Sequence, residues 1–577
     1  MAERPKATPV PADSRAPRFA DRLHARIAGL ARAPTGFVSQ PEPRSIGMVS
    51  RGRQLLSGNV LLAGHLVELR GRPLWDVPSP DAGFAEAAHG FAWLDDLAAV
   101  ADAEARMLAQ DWVFGWIERF GRGRGPGWTP DLAGRRLIRW INHSIMLLMG
   151  REPPDHAAFF RSLGRQCTYL GLRWRASAPG LARFEALAGL IYAGLSLTGM
   201  ERQVPRAVAA LARDCATEID ASGGIATRNP EELLEVLTLL IWTVQSLEQA
   251  GRDVPTEIGA AIARIAPTLR SLRHADGGLA RFHGGGRGLE GRLDHALAQS
   301  RVKPQPSAGP AMGFVRLSGG RTSVIVDVAP PPAGRASVQA HASTLAFELT
   351  SGRRPVVVNC GSGQVFGADW RRAGRATASH STLAVEGFSS SRLGAGEQLA
   401  DRAAVFGLRQ MAGEDGQILV AGHSGWAETH GLSHTRALEL SPDGRRLSGQ
   451  DSLGSLSEAE RRRFAAVLAA LRVPGIRFHI RFHLHPEVDS EIDLGGSAVS
   501  LALRSGEVWV FRHDGTTTMT LEPSVYLEKG RLNPRPARQI VLTGTLMDYA
   551  VETGWTLAKA QDTPLAIRDL GRDDPVI

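Results

Sequence analysis

The chain is expected to fold as a multidomain α+β protein, with an N-terminal domain of antiparallel helical hairpins followed by a C-terminal antiparallel β-sandwich. Three observations predict this. Apolar residues recur at three- and four-residue spacing from about 85 to 275, then at a spacing of two from about 311 onward. A Gly- and Pro-rich stretch from Gly284 to Gly313 separates the two regimes. The 577 residues also exceed what one hydrophobic core usually supports. Three units follow: a flexible Pro/Arg-rich tail over 1–50, a helical domain over 51–300 and a sandwich over 301–577.

In chain order, the tail carries one short helix, Phe19 to Ala31. Helices are then expected over Asp95 to Trp116, Asp131 to Met149, Asp155 to Trp174, Arg183 to Thr198, Pro205 to Ile219, Glu231 to Ala250 and Pro255 to Leu272. Thr129-Pro130-Asp131 and Asn229-Pro230-Glu231 place cap and proline at helix starts, and Gly150, Gly199 and Gly251 follow helix ends. An incomplete α/α toroid is one arrangement of such hairpins. An α-solenoid or a large bundle fits the same pattern. Strand candidates are Thr322 to Val328, Leu345 to Leu349, Pro355 to Asn359, Thr382 to Glu386, Arg436 to Leu440, Arg477 to His485, Val508 to Arg512 and Gln539 to Thr543. Ser441-Pro442-Asp443-Gly444 is a hairpin turn.

The formal charge of +8, with only four lysines among the 67 basic residues, favours contact with polyanions, although a genomic codon bias toward arginine accounts equally well for that count. Three widely spaced cysteines, Cys167, Cys215 and Cys360, indicate neither a disulfide framework nor a Cys-based zinc site. The N-terminus lacks an apolar core of signal-peptide length, and the apolar run Val236 to Leu247 is too short to span a bilayer, so no transmembrane segment is expected.

His341, Asn359 and His380 come from separate strands, and imidazole plus an oxygen donor suits a divalent ion. The same groups can instead hydrogen-bond turns and strand ends. Trp370-Arg371-Arg372 and Arg375 form a cationic cluster able to hold a carboxylate or sulfate by bidentate hydrogen bonds, or else a solvated loop. Arg136, Trp140 and His143 fall on one helical face, where charge, an aromatic platform and imidazole suit an acidic sugar; inward packing of the Ile138, Asn142 and Ile145 face is the competing reading. His479, His483 and His485 alternate along one strand face, which reads as a polar sheet face before it reads as a metal site. Arg281 to Gly288 lacks the strand-then-helix setting of a phosphate loop and is expected to be a flexible loop beside the cleft.

The run HASTLAFELTSGRRPVVVNCG, followed by WRR and RATASHSTL, resembles the C-terminal β-domain of the heparinase II/III family, a group that includes polysaccharide lyases. The resemblance implies an α/α toroid, a β-sandwich and an acidic polysaccharide bound in the groove between them. It implies, in some members, a zinc site of two His and one Asp; His341 and His380 match the histidines, and Asn359 occupies the acidic position. It also implies an Asn-His pair on a toroid helix, a Tyr about fifty residues later and a β-domain His just before the zinc-ligand His. Asn142 and His143 supply the dipeptide, which with His341 makes the candidate catalytic set. Counted back from the segment Asp220 to Pro230, however, the Tyr position falls on Glu232, the Asn-His slot near Leu181-Ala182, and Gln339 replaces the β-domain His. Trp140, Arg228, Asn229, Trp370, Arg371, Arg372 and Arg375 are the candidate substrate contacts. Two functions follow: β-elimination on a uronate-containing polysaccharide, or non-catalytic glycan binding or envelope assembly by a chain that has lost the proton-transfer groups. Family relatives work in the bacterial envelope, whereas this N-terminus encodes no export signal. No nucleic-acid module is present, so nucleic acid is not an expected partner.

Overall fold

The structure is a computed structural model that describes residues 17–304, 309–394 and 397–560. The helical domain is two-layered. Pro130–Asn142 packs on Leu181–Ser196, which packs on Pro230–Gln249, and these three are buried along most of their length. Pro153–Arg173, Val204–Glu218 and Thr256–Ser271 back them as an outer layer. The first two inner helices run parallel, since Gly134 meets Glu185 and Gly189 near their starts while Asn142 meets Tyr192 near their ends. Only glycine allows that approach: a Cβ on Gly134 would lie 2.2 Å from the Glu185 carbonyl oxygen, and one on Gly189 2.4 Å from the Gly134 Cα.

Two expected helices are broken. Ala101 is left-handed at φ 60° and Asp102 caps a new helix by accepting from the Ala105 amide, so Trp93–Val100 and Ala103–Phe120 are separate. His143 leaves helical geometry between Pro130–Asn142 and Ser144–Leu148. Residues 1–16 of the expected tail lie outside the described residues, but 17–50 is packed rather than free. After the helix Phe19–Ile27, the Val38 amide donates to the Ser196 carbonyl and Arg44 donates to the Trp242 carbonyl and Ser246 hydroxyl. Gly47 lets the strap pass flat over Asp95.

Two eight-stranded antiparallel sheets form the sandwich. One runs, in spatial order, Val405–Gly413, Gly416–Trp426, Leu432–Leu440, Arg446–Gly454, Ala550–Lys559, Val508–His513, Ala498–Ala502 and Asp489–Asp493. The other runs Thr518–Tyr526, Arg535–Leu546, Ile476–Leu484, Arg354–Val358, Phe347–Ser351, Thr322–Asp327 and Phe314–Gly319, with Leu383–Val385 added beside Ile476–Leu484. Phe347 of one sheet stacks on Trp555 of the other at 5.8 Å, and Phe482 and Phe511 close around them. The helix Glu458–Leu471 was not expected, although Ser457 and Glu460 form a capping box readable in the sequence.

On the strand Ile476–Leu484, Phe478, Ile480, Phe482 and Leu484 enter the core, which puts His479 and His483 on the opposite face. The expected alternation is therefore present, but that face is not open along its length. His483 is bonded to the Ser524 hydroxyl and the Ala378 carbonyl, and the following His485 lies against the Tyr526 ring; both are buried. No helix among the described residues is long and apolar enough to cross a membrane.

Candidate functional site at the helix–sandwich junction

Arg228 sits in the left-handed region at φ 51°, just before the Asn229 cap of Pro230–Gln249. That turn sends its guanidinium into the sandwich, where it donates to the carbonyls of Met312, Gly313 and Pro330 and pairs with Asp327 at 2.5 Å. Asp327 also accepts from the Ser343 hydroxyl at 2.7 Å and lies 3.5 Å from His283. Burial alone would raise the Asp327 carboxyl, but Arg228 and His283 outweigh it and hold it at about 2. Arg228 is thus a clamp between domains, not an exposed substrate contact. Asn229 accepts the Glu231 and Glu232 amides, the role of a helix cap.

The histidines form a buried chain. His380 Nδ1 lies 2.8 Å from the Ala376 carbonyl and so carries the proton; its Nε2 therefore accepts from His341 Nδ1 at 3.0 Å. The His341 amide in turn donates to His283 Nδ1 at 3.2 Å. All three rings are buried. Burial brings His380 down to about 4 and, with the neighbouring His380, His283 and arginines, drives His341 well below its ordinary value. His283 and Asp327 belong to this cluster although neither was a sequence candidate. His283 stands before three glycines, and Gly284 at φ 86° packs against Gln339, a contact that no local pattern reveals.

Asn359 is turned away from the two imidazoles. Its Oδ1 accepts the Ser381 amide at 2.9 Å and its Nδ2 faces Glu348, which also takes the Arg281 amide and sits beside His274. Among the described residues no three His, Cys, Asp or Glu side chains gather as a metal-holding group. Two imidazoles bonded to each other, with the amide committed elsewhere, do not fit the donor set that zinc takes. The expected ligands His341, Asn359 and His380 serve here as a packed hydrogen-bond network. Arg281 is in a loop, but a buried one: it lies over the Tyr526 ring at 4.0 Å and donates to the Cys360 and Leu527 carbonyls, so the segment expected to be flexible is packed at the junction.

The expected cationic cluster divides. Arg375 is buried, clamping the Ala340 and Ser337 carbonyls at 2.8 Å each, and Arg371 pairs with Glu397 at 2.6 Å and donates to the Val338 carbonyl. Only Trp370 and Arg372 of that group stay exposed, on the helix Ala368–Gly374. Gln339 and Glu232, which stand where the resemblance places a His and a Tyr, are partly exposed.

Asn142, His143 and Trp140 lie elsewhere. Asn142 and Tyr192 occupy the far ends of the inner helices, and the N-terminal strap covers them: Arg44 crosses the Tyr192 ring at 5.4 Å and Ser45 reaches His143 at 3.2 Å. Glu232, in the first turn of its helix, and Trp242, which the strap also meets, are ten residues apart, or about 15 Å of rise. His143 binds Asp95 at 2.8 Å. Burial would raise Asp95, yet Arg139 and His143 hold it below the ordinary range. Trp140 is fully buried among Phe91, Trp116 and Phe159 and has no face for a sugar, while Arg136, buried against Trp116, falls to about 9. These groups hold the helices together. A Tyr192→Phe variant, which strands the buried Asn142 oxygen that Tyr192 now meets at 2.5 Å, is expected to lose about 1–3 kcal/mol in denaturant melts.

A helical toroid joined to a two-sheet sandwich is the architecture of solved heparinase structures. Residues 301–556 match the family model described as heparinase II/III-like, C-terminal. FtsZ-localized protein C of Caulobacter vibrioides is 32% identical over 545 residues, covering 92% of this chain and 91% of that protein. The chain belongs to the heparinase II/III-like family. A crystal structure of heparinase III shares the fold with a TM-score of 0.65 at 12% identity, over 94% of this chain and 89% of that one. Heparan sulfate lyase HepC from Pedobacter heparinus does so at 0.57 and 14%, over 94% and 88%.

Proposed function

We propose that this protein keeps the family fold but works by binding, as an assembly protein of the bacterial division machinery, and not by β-elimination. One observation carries the reading: every imidazole in the candidate catalytic and metal sets, His143, His341 and His380, is buried and engaged by protein partners. A general acid or base must come within about 2.6–3.2 Å of the proton it moves. Groups sealed in a core do not meet a polymer. At the junction the partly exposed Gln339 amide cannot replace an imidazole as a proton donor and acceptor. The likeness to FtsZ-localized protein C, which extends along nearly all of both chains, supports a division-site partner.

The other reading, elimination on an acidic polysaccharide, is favoured by the heparinase-like fold and by the exposed Trp370 and Arg372. The two separate in one assay. Purified protein mixed with heparan sulfate and other uronate polymers should give no protein-dependent rise in the ultraviolet absorbance of unsaturated uronates, and should co-sediment with FtsZ polymers. A steady rise proportional to protein concentration would establish the lyase instead.

A further inference from the structure

A cavity of about 580 Å³ opens between the end of the helix Thr256–Ser271, the helix Arg292–Gln299 and the strand Phe314–Gly319. Among the described residues four arginines line it, Arg270, Arg273, Arg301 and Arg316, against a single carboxylate, Asp294. None of the histidines of the buried chain belongs to it.

How each guanidinium is held matters. Arg270 donates to the Val302 carbonyl at 2.5 Å, and Arg316 to the Arg273 carbonyl and, at 2.8 Å, to the Ser318 hydroxyl. These partners fix direction without neutralising charge. Arg273 pairs with Asp294 at 3.0 Å, yet its Nε is buried with no hydrogen-bond partner among the described residues. Among the described residues Arg301 has only Glu248, at 3.8 Å, and both are exposed. The negative end of the helix Thr256–Ser271 favours cations in its last turn and accounts for Arg270. It does not account for Arg301 or Arg316, which come from other elements.

Two guanidiniums aimed by carbonyl and hydroxyl acceptors, Arg270 and Arg316, with Arg273 and the exposed Arg301 beside them around a volume of small-ligand size, are suited to oxyanions, which take paired N–H donors and repay the mutual repulsion of the cations. Among the described residues the lining contains no Trp, Tyr or Phe on which a base or sugar ring would stack. We propose that this cavity binds a compact ligand bearing at least two phosphate or sulfate groups. The site lies on the helix–sandwich boundary but outside the buried chain of His283, His341 and His380, and it stands whether or not the protein turns over a polysaccharide.

Isothermal titration of the full chain with inorganic pyrophosphate and with a disulfated disaccharide tests this. One of the two is expected to bind saturably at one site, more tightly than inorganic monophosphate, and to weaken as salt rises. The preferred probe identifies the source of the charged groups. R316A and R301A are expected to weaken binding by about tenfold or more each, the scale of a charge-assisted hydrogen bond, while R409A, on the exposed strand Val405–Gly413, leaves it unchanged. Should R316A perturb its strand, R301A still decides, because Arg301 is exposed and anchors no backbone group in the cavity. Absence of saturable binding by either probe, or binding indifferent to R301A and R316A, would overturn the proposal.

Discussion

An Asp451→Ala variant is expected to lose about 3–5 kcal/mol of stability, the cost of leaving one partner of a buried ion pair alone. Asp451 stands opposite Arg436 in the sheet register, and both are almost completely buried. The pair is bidentate: Arg436 Nε to Oδ1 at 2.7 Å and a terminal nitrogen to Oδ2 at 3.0 Å. His434 and the Trp555 indole complete the carboxylate at 2.7 and 2.9 Å. Arg436 spends its remaining donors on the Leu345 and Ser381 carbonyls, the second of these adjoining His380, so one guanidinium ties the two sheets together. Removing the carboxylate strands that cation in the core. The measurement is the urea midpoint of the variant against the parent at unchanged slope; a loss under about 1 kcal/mol, the scale of an exposed pair, would contradict the burial argument.

Arg228→Ala is expected to cost a similar amount, about 3–5 kcal/mol, and to loosen the junction first. Asp327, Ser343 and His283 would remain buried without the cation that compensates them. Amide hydrogen exchange should therefore rise around 312–330 and 282–286 before it rises in the sandwich core. The same cluster sets an acid limit. Asp327 has its folded value, about 2, below the ordinary carboxylate value, so its contribution is complete above about pH 4 and is lost as pH falls toward 2. His380, lowered to about 4, acts in the same direction: the unfolded chain takes up its proton first, and stability falls as pH drops from about 6.5 toward 4. The parent's melting temperature should fall in both windows, and Asp327→Asn should flatten the lower one.

The period of the apolar residues made the two-part architecture legible. Helices from 130 to 271 lie within a few residues of their expected bounds, and so do strands such as Thr322–Asp327 and Phe347–Ser351. Edge strands of mixed polarity, including Val405–Gly413 and Asp489–Asp493, were missed because they carry little alternation once one face is exposed. Of the candidate site, the conspicuous residues were found but their roles were not. Arg228, Arg375 and His341 look like ligand contacts in a sequence because charged and polar groups are usually exposed; here each is buried and satisfied by backbone carbonyls or by another side chain.

By itself, the sequence determined the element types, the order of the domains and the family's segment from His341 to Gly387, since these depend on spacing along the chain and on local backbone preference. Only the tertiary structure decided that Asn142 and His143 lie at the opposite ends of the inner helices from the junction, that a strap from the N-terminus covers them, and that His283, His341 and His380 join in a buried network. Those outcomes depend on helix direction and on which surface is laid over which, and two distant segments can exchange solvent for each other without leaving a mark in either one's local pattern.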